Sequence, residues 1–191
     1  MKEKDWCKFK KLSEEKFKSL TLKNVFGFQI QKDTKWNDGL SIREIKALEI
    51  QFGFKFPVDY FEMLKVFNGF QTLQISIDPD GNISDQHDGR CYQYPVHFKK
   101  TNWLIDEANQ YIEYVIGALE QSGFDSIEID GFVPLFGHRT LVVLKDKTKS
   151  PVLSIWGDDI IVYGENLMQY WCNELGIEFN ALKRQTSWNK N

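Results

Sequence analysis

The sequence predicts an α+β fold: one domain in which an antiparallel or mixed sheet is covered by helices. Apolar residues at helical spacing recur between residues 5 and 119. Short β-branched runs, separated by Gly, Pro and Asp, then occupy residues 132–163, and a final helical stripe follows. Helices grouped apart from strands, rather than alternating βαβ units, mark this class. The length of 191 residues suits one domain, which at this size buries roughly 70% of its unfolded surface without disulfides or metal. No repeat, low-complexity tract or Pro/Gly/Ser-rich linker divides the chain.

Taken in order, Trp6, Phe9, Leu12, Phe17 and Leu20 predict an amphipathic helix over 5–20, with lysines on its other face. Residues 24–40 show no period and contain the turn-like Asn37-Asp38-Gly39. Ser41-Ile42-Arg43-Glu44 then matches the capping box, Ile45, Leu48 and Phe52 follow at helical spacing, and Gly53 supplies the stop. Pro57 opens a second helix with Tyr60, Phe61, Leu64 and Phe67 as its stripe, ended by Asn68-Gly69. Leu73, Ile75 and Ile77 alternate as a half-buried strand closed by the turn Asp78–Asn82. Leu104, Ala108, Tyr111, Ile112, Val115 and Leu119 predict one long helix, capped at Thr101 or Asn102 and stopped at Gly123. Strands are expected at 132–136, 141–144, 152–156 and 160–163. Asn166 then caps a last helix that buries Leu167, Tyr170, Trp171 and Leu175 and closes at Gly176.

Signals for chemistry are sparse. The three cysteines, Cys7, Cys91 and Cys172, form no CxxC pair, so neither a disulfide framework nor a Cys-rich zinc site is expected. His87, Cys91 and His97 are a local set of soft ligands in a loop-like segment without a rigid frame. Asp78, Asp80 and Asn82 start like a calcium loop, but Ile83 stands where its glycine belongs and no Glu follows at the required spacing. Phosphate-binding glycine loops and the Gly-x-Ser-x-Gly elbow are absent. Cys172 beside Trp171 reads as a structural thiol, and Gly157-Asp158-Asp159 as a hairpin turn. These features argue for a protein that is not an enzyme and carries no cofactor or metal.

Charge is unevenly placed. Residues 1–55 carry 13 Lys and Arg against 8 Asp and Glu, and the remainder 11 against 19. Asp106, Glu107, Glu113, Glu120, Asp125, Glu128 and Asp130 fall between Lys100 and Arg139 with no basic residue among them. Asp158 and Asp159 belong to a second such stretch. If these acids share a face, it attracts cationic partners and repels nucleic acid. His138 and Arg139, between two expected strands, are a second candidate patch. The charged N-terminus lacks the apolar run of a secretory signal, and no run approaches the ~18 apolar residues of a membrane span. A cytoplasmic location is expected.

The block SIREIKALEIQFGFKFPVDYFEMLKVFNGF, with Ile45, Leu48, Glu49, Phe56, Pro57, Asp59, Tyr60, Leu64, Asn68 and Gly69 as its matching positions, resembles the SUKH superfamily of Smi/Knr-type proteins. The later blocks FVPLFGHR (132–139), PVLSI (151–155) and DIIVYG (159–164), with Asn166-Leu167, are similar to the same family. Phe70 stands where the family commonly has a second Gly, and Phe56 where it prefers Leu. The resemblance covers residues 41–180. It leaves residues 1–40 as a helical extension packed on the same domain and 181–191 as a tail. It implies a bacterial immunity protein that binds and neutralises a co-encoded toxin, with a basic nuclease domain as the expected partner. Neither direct nucleic-acid binding nor membrane association is implied. The eleven charged residues named above are the expected partner-binding set, with Trp103, Tyr111, Tyr114 or Trp156 as aromatic anchors where exposed. A regulatory or scaffold binding protein of the Smi/Knr kind is the alternative, and an enzyme or small-ligand binder the third reading.

Overall fold

The computed structural model describes residues 1–21, 27–71, 74–87, 91–125 and 127–178. The expected tail 181–191, and Leu73 of the expected first strand, lie outside the described residues. The N-terminal part comprises α1 (Glu3–Lys18), β1 (Gly27–Gln29), β2 (Trp36–Asp38), α2 (Ile42–Phe52), α3 (Val58–Leu64) and β3 (Phe67–Phe70). Next come β4 (Gln74–Ile77), β5 (Ile83–His87), α4 (Asn102–Gln110) and α5 (Ile112–Gln121). The chain then runs through β6 (Ile129–Phe136), β7 (Arg139–Leu144), β8 (Val152–Trp156), β9 (Asp159–Gly164) and α6 (Leu167–Leu175). Every strand pairing among the described residues is antiparallel, in three sheets ordered β1-β4-β5, β2-β3 and β6-β7-β8-β9. The α+β class expected from the sequence is the class observed.

The β6–β9 meander is buried on both faces. Val133, Leu135, Leu141, Val143 and Val152 join one cluster with Trp6, Phe9 and Phe17 of α1, Ile45 and Leu48 of α2, Tyr60 and Leu64 of α3, and Trp171 of α6. Alternate residues Phe132, Val142, Leu144, Leu153 and Ile155 join a second cluster with Ala108 of α4 and Val115 and Leu119 of α5. The two-residue period of a strand thus divides the molecule into helices, sheet and helices.

The capping box forms as expected: Ser41 Oγ accepts the Glu44 amide at 3.3 Å, and the Ser41 amide donates to Glu44 Oε2 at 2.7 Å. Asn166 Oδ1 accepts the Gln169 amide at 3.0 Å, and Gly53 and Gly176 take the left-handed conformation at the helix ends.

Several expectations are corrected. The helix of 102–121 is broken at Tyr111 (φ −102°, ψ 30°), which separates α4 from α5. Asn68-Gly69 does not end α3; both lie in β3, where Gly69 has φ +77° and a Cβ there would come within 2.9 Å of Gln93. Asn37 and Asp38 lie in β2 rather than in a turn, because Trp36 and Asp38 pair with Phe70 and Phe67. Leu12 is exposed, and Ser13 takes its place on the buried stripe of α1 by accepting Trp36 Nε1 at 2.7 Å. Pro57 is the N-cap of α3 rather than its first residue.

The residues of the family-like block are buried. Glu49 accepts the Phe56 amide at 2.9 Å and Lys55 Nζ at 2.8 Å, which closes the α2–α3 link. Asn68 meets the Tyr94 backbone at both ends, donating to its carbonyl at 2.6 Å and accepting its amide at 3.0 Å. Asp59 accepts from Ser150 Oγ, which in turn accepts the Leu167 amide at 3.1 Å at the start of α6. These residues build the frame rather than its surface.

Candidate functional site

The meander brings the Gly137-His138 and Gly157-Asp158 turns to one end of the sheet and the 145–151 loop to the other. Asp125, Glu128 and Asp130 lie at the loop end, and Glu107, Glu113, Asp158 and Asp159 at the turn end.

At the loop end, each acid faces a lysine. Lys149 Nζ donates to Asp125 at 2.9 Å, Lys147 Nζ to Asp130 at 2.5 Å, and Lys145 Nζ to Glu128. The Lys149 hydrogen bond holds the Asp125 carboxyl below its ordinary pKa, and the Glu128 bond raises that of Lys145. Asp125, Glu128 and Asp130 therefore lie on a charge-matched edge. Three of the seven acids between Lys100 and Arg139 are thus matched by lysines that follow them.

At the turn end the acids stay open. Glu113 on α5, Asp158 in the β8–β9 turn and Asp159 at the start of β9 are exposed, as are Asp106 on α4 and Glu120 on α5. Among the described residues none of these five has a lysine or arginine within ion-pair distance. Exposed aromatics accompany them: Trp103 at 52%, Tyr114 at 56% and Trp156 at 65% of full exposure. Tyr111 is only half-buried and packs edge-on against Tyr114 at 6.0 Å between ring centroids.

Glu107 behaves differently from its neighbours. Its Oε1 accepts the Gly157 amide at 3.0 Å, while Oε2 is buried with no hydrogen-bond partner among the described residues. It fastens α4 to the hairpin turn through one of its two oxygens.

Arg139 is also held inside. Its guanidinium lies 4.0 Å over the Tyr163 ring, Nη1 donates to Ser154 Oγ at 2.5 Å and meets His138 Nε2, and Nε stands 3.5 Å from Glu174 of α6. Arg139 straps α6 to the sheet. The His138 ring packs edge-on against Trp156 at 5.6 Å, bringing the two hairpin turns together.

Strand alternation sorts the exposed side chains at this end. Ile155 belongs to the α4–α5 side, so Trp156 points to the α6 side; Ile160 and Val162 pack toward α5, so Ile161, 52% exposed, points with Trp156. On the α5 side a groove of about 350 Å³ is lined by Glu113, Tyr114, Gly117, Ala118, Asp158 and Ile160.

No family model, curated protein or solved structure matches this chain.

Other potential sites lead elsewhere. Cys91 is buried beside Phe136, and burial pushes its thiol pKa well up; the pKa of Cys172 is raised to about 11 for the same reason, so both stay protonated at neutral pH. His97 Nδ1 accepts the Gln93 amide at 3.0 Å. Among the described residues no three His, Cys, Asp or Glu side chains converge as metal ligands would, and no helix is long and apolar enough to cross a membrane. Asp78 caps its own turn by accepting the Asp80 and Asn82 amides at 2.9 and 2.8 Å.

Sequence reasoning missed Gly117 and Ile161. A glycine within an otherwise strong helical stripe was the available signal for the first. For the second it was an isoleucine out of phase with Ile160 and Val162.

Proposed function

We propose that this protein is a cytoplasmic, non-catalytic immunity protein that binds and neutralises a cognate toxin through the turn end of its central sheet. The observation that carries this reading is the pairing of open acids with exposed aromatics at that end: Glu113 and Asp158 with Tyr114 on the α5 side, and Asp159 with Trp156 on the other side. Aromatic side chains supply large contact area, and unmatched carboxylates steer and select a basic partner such as a nuclease domain. The lysine-matched edge at the other end offers no such field. The family-like residues support the reading in a different way, since their burial leaves the surface free to vary with the partner.

The test is capture and protection. The tagged protein, recovered from its native host, should bring down one stoichiometric partner that is lethal when expressed alone and harmless when co-expressed. Reversal of Glu113, Asp158 and Asp159 to lysine should lower affinity by about tenfold or more and remove protection. Full protection by that triple variant would rule this surface out.

A further inference from the structure

Strand β9 closes the sheet order β6-β7-β8-β9, and among the described residues nothing pairs with its outer side. The two-residue turn at Gly157-Asp158 makes Trp156 and Asp159 a hydrogen-bonded pair, and alternation makes Ser154 and Ile161 the next one. The Ile160 and Val162 backbone groups consequently point away from the sheet. Consistent with this phase, the Ile155 amide, opposite Ile160, donates to His138 on the β7 side at 3.0 Å.

Alongside that edge runs the α5 groove, and its wall contains an unusual residue. Gly117 sits mid-helix, where glycine costs about 1 kcal/mol relative to alanine. Among the described residues a Cβ built on it would meet nothing within 4 Å, so none of their packing requires a bare backbone there. Glycine in such a position suits the close approach of something outside the fold.

We infer that the α5–β9 groove receives an extended, basic segment of the partner, which adds a strand to the β9 edge. This deepens the docking role proposed above and rests on it. Side chains of an added strand alternate between two sides. Those turned toward α5 would meet Glu113 and Asp158, which demand lysine or arginine. Those turned the other way would meet Ile161 and Trp156, which demand apolar residues, with Asp159 beside Trp156 accepting one further cation at the turn. The segment recognised is therefore extended, with cationic and apolar residues in alternation.

The test uses a short synthetic peptide alternating lysine and valine, with a glutamate–valine peptide of the same length as control, followed by amide hydrogen exchange on the full chain. The lysine peptide should slow exchange at the Ile160 and Val162 amides by about tenfold or more, and the control should not. Gly117→Ala should raise Tm, whereas Gly117→Leu, whose side chain projects into the groove, should remain folded and weaken peptide binding by about tenfold or more. Equal effects of both peptides, protection elsewhere, or unchanged binding by Gly117→Leu would overturn the proposal. So would protection of these amides in the concentrated free protein, which would assign the edge to a second copy. A negative peptide result with intact toxin capture would refute strand addition alone, whereas loss of toxin protection is read only in the capture experiment.

Discussion

Glu107 Oε1 accepts the Gly157 amide at 3.0 Å, so a carboxylate from α4 fixes the turn that carries Trp156, Asp158 and Asp159. Glu107→Ala should destabilise the fold by about 1–2 kcal/mol in urea unfolding, because the turn amide loses its partner. Glu107→Gln keeps an acceptor and removes a buried charge, so it should retain most of that stability. A charge-reversal series that includes Glu107 would confuse loss of fold with loss of docking.

The acids at the loop end should behave differently. Changing Asp125, Glu128 and Asp130 together to lysine breaks three exposed pairs with Lys149, Lys145 and Lys147. Partner capture should be unchanged, and any loss of stability should shrink as salt is raised, since exposed pairs are screened. A loss of capture equal to that of the Glu113, Asp158 and Asp159 variant would move the interface to this end.

Asp59 provides a pH signature. Burial outweighs the Ser150 hydrogen bond and raises its carboxyl pKa above the ordinary value of 3.8. A raised folded pKa means that the folded state holds the proton more tightly. Its stabilising contribution is therefore complete below pH 3.8 and is lost as pH rises through the folded value. Relative to Asp59→Asn, which does not titrate, the wild-type chain should gain stability as pH falls from neutral into that range. Unfolding of both proteins across pH reads the difference directly.

Arg139 holds Ser154, Tyr163 and Glu174 at once. Arg139→Lys should lose the stacking on Tyr163 and lower Tm, and Arg139→Met should lower it further by also removing the charge that faces Glu174. Neither change removes an open charge from the proposed docking surface. Capture below the melting range should persist.

Local signals were read most directly. The Ser41–Glu44 capping box, the Asn166 cap, the left-handed glycines 53 and 176 and the β8–β9 turn each depend on residues within a few positions of one another. Features set by distant partners were hidden. Trp36–Asp38 is a strand because Phe67–Phe70 lies beside it, and Asn68-Gly69 reads as a helix stop until Tyr94 and Gln93 are placed against it. The helix break at Tyr111 was masked because the residues before and after it continue the same apolar stripe. The candidate surface was legible as composition but not as geometry: Asp125, Glu128 and Asp130 look like Glu113 in sequence, and only the fold supplies their lysines.

The Trp36 and Trp171 rings meet edge to face at 5.3 Å, and both lie in the cluster that includes Trp6 and Phe67. Residues made early in synthesis therefore have no finished place until α6 has left the ribosome. A nascent chain that stops short of α6 would leave uncovered the Trp36 ring that Trp171 packs against, an apolar surface that calls for chaperone cover. If the protein guards its host against a toxin, that shield becomes usable only after translation has passed Trp171, so supply must come from molecules already complete.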